Sequence, residues 1–120
     1  MVPVYKGGKK FLVPLRKNPG WSEHVKIIAR MHRPFPIFKG PVEATFAFLL
    51  RPRANDDHEL PDADPDLENL ISGLANGLED EIYCDDNQIV DLHIHKRYAR
   101  SGTPGVWVTV RTIDDPRTHV

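Results

Sequence analysis

A chain of 120 residues, 40% hydrophobic, with no apolar run near ~18 residues and no secretory signal in Met1-Val2-Pro3-Val4-Tyr5-Lys6, is expected to be one cytoplasmic domain over residues 1–120, with no membrane partner. Its sole cysteine, Cys84, excludes an intramolecular disulfide and a thiolate zinc cage within one chain, and is read as structural. The net charge of -1 hides an asymmetry: residues 1–53 hold eleven Lys/Arg against Glu23 and Glu43, whereas residues 54–120 hold five against fifteen Asp/Glu. Either the basic half faces a polyanion while the acidic half collects cations, or the two charges merely solvate opposite surfaces.

Lys9 to Leu15 reads as a short extended segment, with Pro14 marking an edge or a strand end. Asn18-Pro19-Gly20 supplies a helix start, Asn18 as the cap and Pro19 in the first helical position. Trp21, Val25, Ile28 and Met31 follow at helical spacing and predict a packing helix that ends at His32 to Pro36. From Val42 to Leu50 the alternation is strict, with Val42, Ala44, Phe46, Phe48 and Leu50 on one face, so a strand is expected. Arg51-Pro52-Arg53 closes it, and the acidic, proline-bearing stretch from Ala54 to Pro65 reads as a loop.

Leu67, Leu70, Ile71, Leu74 and Leu78 form one helical stripe over Asp66–Leu78, capped by Asp66. Gly73 and Gly77 lower its propensity and are read as sites of close packing. A strand from about Gln88 to Tyr98 is expected, with Val90, Leu92 and Ile94 facing the core and Ile89, Asp91, His93 and His95 opposite. A turn at Ser101 to Gly105 leads to a last strand with Val106, Val108 and Val110 inward and Trp107 outward, and the two strands are expected to form a hairpin. The order strand, helix, strand, helix, strand, strand predicts an α+β fold, a small mixed sheet of about four strands with two packed helices.

Two acidic segments carry most of the chemistry: Asp62-Ala63-Asp64-Pro65-Asp66-Leu67-Glu68 at a helix start, and Cys84-Asp85-Asp86 before a strand. Carboxylates gathered from separate elements repel unless a cation lies between them, and hard cations such as magnesium prefer oxygen ligands. The bland alternative is that acids favour helix starts and Asp favours turns. Spacing alone leaves both readings open. His93 and His95 share a strand face but have no evident third partner for a transition metal. Cys84 has no triad spacing around it to make it a nucleophile. Trp21 is read as core, and Trp107 as a contact for a base or a second subunit.

The run Asp66-Leu67-Glu68-Asn69-Leu70, then Asp85-Asp86-Asn87-Gln88-Ile89-Val90 and Lys96, resembles the signature of RusA-type Holliday junction resolvases, the crossover junction endodeoxyribonucleases. There, Asp-x-Asp-Asn-Leu-x-Lys precedes a paired Asp with a nearby Gln, and a Lys lies further along the strand. Pro3-Val4-Tyr5-Lys6-Gly7, Lys10-Phe11 and Gly40-Pro41-Val42 extend the likeness over most of the chain. The resemblance implies a RusA-like fold and a homodimer that grips a four-way junction or other branched DNA, with paired nicks in recombination and repair, in a family frequent in prophages. It implies magnesium, with manganese as an alternative, held by Asp66, Glu68 and Asp86, and Lys96 near the substrate phosphates as the fourth catalytic residue. Lys6, Lys9, Lys10, Arg16, Arg51, Arg53, Lys96, Arg97 and Arg100 are the expected phosphate contacts. Three positions depart from the pattern: Glu68 replaces an Asp, Ser72 replaces the helical Lys, and Asn76 replaces a frequent Asp. They keep open a weakened or inactive relative that binds branched DNA, beside a third reading as an interaction protein whose acidic loop recruits a basic partner.

Overall fold

The computed structural model describes residues 4–15, 20–52, 67–99 and 102–114. Strand β1 (Val4–Pro14) is followed by helix α1 (Trp21–Met31), strand β2 (Val42–Leu50), helix α2 (Leu67–Leu78), a one-turn 3-10 helix (Asp86–Gln88), strand β3 (Ile89–Tyr98) and strand β4 (Gly105–Asp114). The expected architecture is present: a four-stranded mixed sheet with two helices. The expected loop from Ala54 to Pro65 falls outside the described residues.

The sheet order is β1-β4-β2-β3, with β2 and β3 parallel and the other pairs antiparallel. This corrects the expected hairpin, because β3 and β4 are separated by β2. The physical reason lies in their side chains. Val106, Val108 and Val110 are fully buried and require β4 in the centre. By contrast, β3 carries Asp91, His93, His95, Lys96 and Arg97 and suits the edge.

One face of the sheet holds the core. Phe11, Val13, Val42, Ala44, Phe46, Phe48, Val106, Val108 and Val110 cluster with Val25 and Ala29 of α1 and Leu74 and Leu78 of α2. The expected inward residues of β3 fare differently: Ile94 packs against this cluster, as does Ile89, expected on the other face, but Val90 and Leu92 are 63% and 42% exposed. Alternation assigns a side chain to a face of the sheet; it does not say how far the helical layer extends over that face.

Helix α1 begins at Trp21, two residues later than expected, with Gly20 at φ 100° in the cap position, a backbone conformation that glycine adopts without steric penalty. The expected cap Asn18 and first residue Pro19 lie outside the described residues. The buried face of α1 is Val25 and Ala29. Met31, expected inside, is 75% exposed. The two α2 glycines do permit close approach: a Cβ on Gly73 would lie 2.5 Å from Trp21 Cδ1, and one on Gly77 2.7 Å from the Ser22 carbonyl. Trp21 is fixed there by its indole N–H, which donates to the Leu70 carbonyl at 3.0 Å.

Candidate active site

After Leu78 the chain reverses through residues 79–85 and delivers two aspartates to the start of β3. The reversal is built around Tyr83, which is fully buried and donates its hydroxyl to the Ala75 carbonyl at 3.0 Å. Asp80 takes a positive φ of 65°, which aspartate tolerates better than most residues, and its N–H donates to the Tyr83 carbonyl at 2.7 Å. Asp85 caps the following turn, its carboxylate accepting from the Asn87 N–H at 2.8 Å. Gln88 then locks the loop in place. Its side-chain oxygen accepts from the Cys84 and Asp85 N–H groups, both at 2.8 Å, while its nitrogen donates to the Phe38 and Gly40 carbonyls at 3.0 and 2.9 Å. The motif Gln is therefore a latch between the acidic turn and the strap leading into β2.

The result is a group of three carboxylates, Glu79, Asp85 and Asp86, whose ligand atoms lie within 4.8 Å of one another. Glu79 also accepts from the Asp86 N–H at 2.9 Å. Partial desolvation and the neighbouring Glu79 and Asp85 charges raise the Asp86 pKa above the ordinary carboxylate value, the signature of like charges held close. Burial first, and then the Asp86, Glu79 and Asp85 charges, push the Tyr83 phenol up as well. An all-oxygen, partly exposed donor set of this kind suits a hard divalent cation such as magnesium or manganese.

A second group, Glu43, Asp91 and His93, lies on the opposite face of the sheet. Here Glu43 is buried, accepts from the Tyr5 hydroxyl and pairs with Arg111. Burial alone would raise its pKa, but the hydrogen bonds from Tyr5 and Arg111, and the Arg111 charge, hold it below the usual carboxylate value. With a guanidinium already bonded to its central carboxylate, this group ties β1, β4 and β2 together. The expected pair His93 and His95 does share this face, and His93 Nε2 stands 3.3 Å from Asp91 Oδ1.

The residues expected in the site are distributed unevenly. Asp86 lies in the first carboxylate group; Glu68 is exposed in the first turn of α2 and belongs to neither group. Asp66, Arg16, Arg53 and Arg100 lie outside the described residues. Lys96 pairs in register with Phe48 and so takes the helix-covered face, as does Lys9, which pairs with Val110. Lys10 and Arg97 take the open face; Lys10 Nζ stands 5.4 Å from the centre of the Trp107 ring, and Arg97 donates to the Lys96 carbonyl. Lys6 pairs with Asp114 at 3.2 Å, and Arg51 is exposed. The basic residues thus divide between two faces. Cys84, expected to be structural, is exposed; its backbone N–H, bonded to Gln88, is the part that shapes the loop.

Glu79 escaped the sequence reading because its meeting with Asp86 depends on the reversal around Tyr83, which no local spacing announces. The four cations beside the acidic turn were also passed over. Lys26 donates to the Glu79 carbonyl at 3.2 Å, and Arg33 to the Asp80 carbonyl at 2.7 Å. Arg30 pairs with buried Glu81 at 3.0 Å, and Lys39 sits between the two carbonyls held by Gln88.

The fold thus sets a group of three carboxylates at the start of β3, with Lys26 and Arg33 bonded to the backbone of the same turn, an oxygen donor set whose chemistry suits a hard cation. The family described as "Endodeoxyribonuclease RusA" matches residues 4–111, and the chain belongs to it. Membership implies an endodeoxyribonuclease of the Holliday junction resolvase class. The chain is also similar to the uncharacterized protein YqaN of Bacillus subtilis (strain 168), with 29% identity over 121 residues, covering 90% of this chain and 83% of the relative.

Proposed function

We propose that this protein is a magnesium-dependent, structure-selective endonuclease that resolves four-way junctions by paired nicks, acting as a homodimer in the cytoplasm of a bacterial or phage-infected cell. The observation that carries this reading is the Gln88-latched turn, which gathers Asp86 with Glu79 and Asp85 in a chain of the RusA family. In this reading Asp66, Glu68 and Asp86 hold the metal, and manganese can replace magnesium. The bound cation supplies an activated water and neutralises charge on the scissile phosphate. Lys96 approaches the phosphate, and Lys6, Lys9, Arg16, Arg51, Arg53 and Arg100 are the further candidate backbone contacts, whereas Lys10 and Arg97, on the open face of the sheet, leave that set. A two-fold protein matches the approximate two-fold symmetry of a junction, and exposed Val90 and Leu92 on the edge strand offer apolar surface for a second copy.

The test is a labelled four-way junction incubated with wild-type protein and Asp86→Asn, with magnesium and with chelator. Expected are paired symmetric nicks that need both magnesium and Asp86, with junction binding retained in the variant. A wild-type protein that neither cleaves the junction nor prefers it over linear duplex would overturn the proposal. A second reading, a relative that binds junctions and cuts them weakly, is favoured by one observation: position 72, one turn beyond Glu68 on the same helix face, is an exposed serine. Ser72→Lys should then raise the single-turnover rate on the order of tenfold, by placing positive charge near the developing transition state. A rate unchanged across a magnesium titration would show that Ser72 does not weaken the enzyme.

A further inference from the structure

The strap between α1 and β2 carries a feature that the nuclease reading does not use. Phe35 is 101% exposed, so its ring gains nothing from the core. A free phenyl ring in water forfeits the burial that normally justifies an aromatic residue. Its surroundings on the chain are nonetheless firmly held. On one side, Arg33 donates to the Asp80 carbonyl at 2.7 Å. On the other, the Phe38 N–H donates to the Ile82 carbonyl at 2.8 Å, and the Phe38 and Gly40 carbonyls accept from Gln88. Every one of these bonds runs to the turn that carries Glu79, Asp85 and Asp86. The ring therefore stands on a short segment anchored, before and after it, to the carboxylate group.

We infer that Phe35 is a stacking residue for an unpaired or easily unstacked base of branched DNA, and that it sets the preference of the site for branch points over duplex. Charge favours this occupant over a protein. Arg33 and Lys39 flank the ring along the strap, and Arg30 lies one turn back beside exposed Met31. Protein interfaces also use aromatic residues, Met and Arg, but single-strand sites combine an aromatic platform with cations that track the phosphates, and Arg33 and Lys39 stand on either side of this ring along the chain. Glu81 is shared by Arg30 and Arg33, so the strap keeps an excess of positive charge with Lys39. Geometry favours it too. An exposed ring can meet a base face only where the base has left its stack, and leaving is least costly at a branch or mismatch. Inside a closed duplex the same ring has no partner, and its contribution vanishes.

The inference rests on the reading of the protein as a junction-binding nuclease, and the experiment separates the two. Affinities for a four-way junction with 2-aminopurine at the branch point, and for a linear duplex, are measured without metal for wild type, Phe35→Ala and Phe35→Trp. Sedimentation reports self-association of each. Because Phe35 touches no core residue, the alanine variant is expected to fold. Its junction affinity should fall about tenfold, the scale of one lost base–aromatic stack, and its 2-aminopurine response should disappear. Its duplex affinity and salt dependence should stay those of wild type, and Phe35→Trp should retain both the junction affinity and the optical response. Unchanged junction affinity and emission in Phe35→Ala would overturn the inference while leaving the nuclease reading standing. Loss of self-association, with equal losses on junction and duplex, would also overturn it and assign the ring to a contact between copies. A wild-type protein that does not prefer the junction would remove the parent reading itself.

Discussion

At the scale of single residues, the carboxylate group holds charge that the metal-free fold must tolerate. Glu79 faces Asp86 and Asp85 at ligand distance, and the Asp86 pKa is raised by desolvation first and then by the Glu79 and Asp85 charges, so repulsion among the three adds to the cost of burial. Glu79→Gln removes one charge yet keeps an oxygen to accept from the Asp86 N–H, now at 2.9 Å. The metal-free variant should therefore melt higher than wild type, by roughly 3–6 °C for each kcal/mol of repulsion relieved in a chain of this size. The gain in melting temperature on adding magnesium should shrink, since a ligand at free concentration L that binds only the folded state stabilises it by RT ln(1 + L/Kd), which falls as binding weakens. Differential scanning calorimetry across a magnesium titration reads both quantities. Equal melting in the absence of metal would mean that Glu79 does not repel its neighbours, and an unchanged magnesium shift would remove it from the cation's surroundings. Asp86 was legible in the sequence because Asp-Asp before a strand is a local pattern. Glu79 was not, because its place depends on a buried tyrosine four residues away.

At the scale of elements, two glycines inside the apolar stripe of helix α2 let it approach α1 closely. A Cβ at Gly77 would sit 2.6 Å from Val25 Cβ and 2.7 Å from the Ser22 carbonyl, and neither partner is the flexible end of a side chain. Gly77→Ala gains helix propensity of about 1 kcal/mol, but it must separate the helices, a cost of roughly 1–3 kcal/mol. Net destabilisation is expected by urea denaturation, along with a weakened acidic turn, since that turn begins two residues later. An alanine variant as stable as wild type would show that the helices part without cost. The same contact illustrates what patterns convey. Gly73 and Gly77 were readable as packing sites because glycine inside an apolar helical stripe has few other uses. The alternation of β2 and β4 likewise gave their buried faces correctly. What alternation left open was neighbourhood: β3 and β4 are consecutive and both alternate, yet the fully apolar valines of β4 claim the middle of the sheet and leave β3 at the edge. From that edge position follows the exposure of Val90 and Leu92, which a core-facing reading of β3 did not anticipate.

At the scale of the whole molecule, the question is which side of a charge-divided protein meets the phosphates. Among the described residues, the basic first half and the acidic second half are not separated in space. Lys26, Arg30, Arg33 and Lys39 from the first are interleaved with Glu79, Asp80 and Glu81 from the second, so cations and the carboxylate group occupy one end of the fold. The open face of the sheet carries Lys10 and Arg97 but also Glu43 and Asp91 in adjacent rows, and Lys10 is already placed over Trp107. DNA should therefore follow the strap and the acidic turn. Two variants distinguish the routes. Lys39→Ala should reduce the slope of log affinity against log salt by about 0.9, one phosphate contact on duplex arms, whereas Lys10→Ala should leave that slope unchanged. Both side chains are exposed, so neither substitution threatens the core, and a change in slope reports a lost phosphate contact rather than lost folding. The reverse result, a flattened slope for Lys10→Ala alone, would move the DNA to the open face. It would then separate the phosphate track from the Gln88-latched carboxylates, because a backbone lying along Lys10 and Trp107 runs on the side of the sheet away from the helices. A loss of slope in both variants would require the DNA arms to wrap the edge of the sheet, as the arms of a four-way junction can and a straight duplex cannot. Repeating the titration on linear duplex decides that case, since only the junction should then register both lysines.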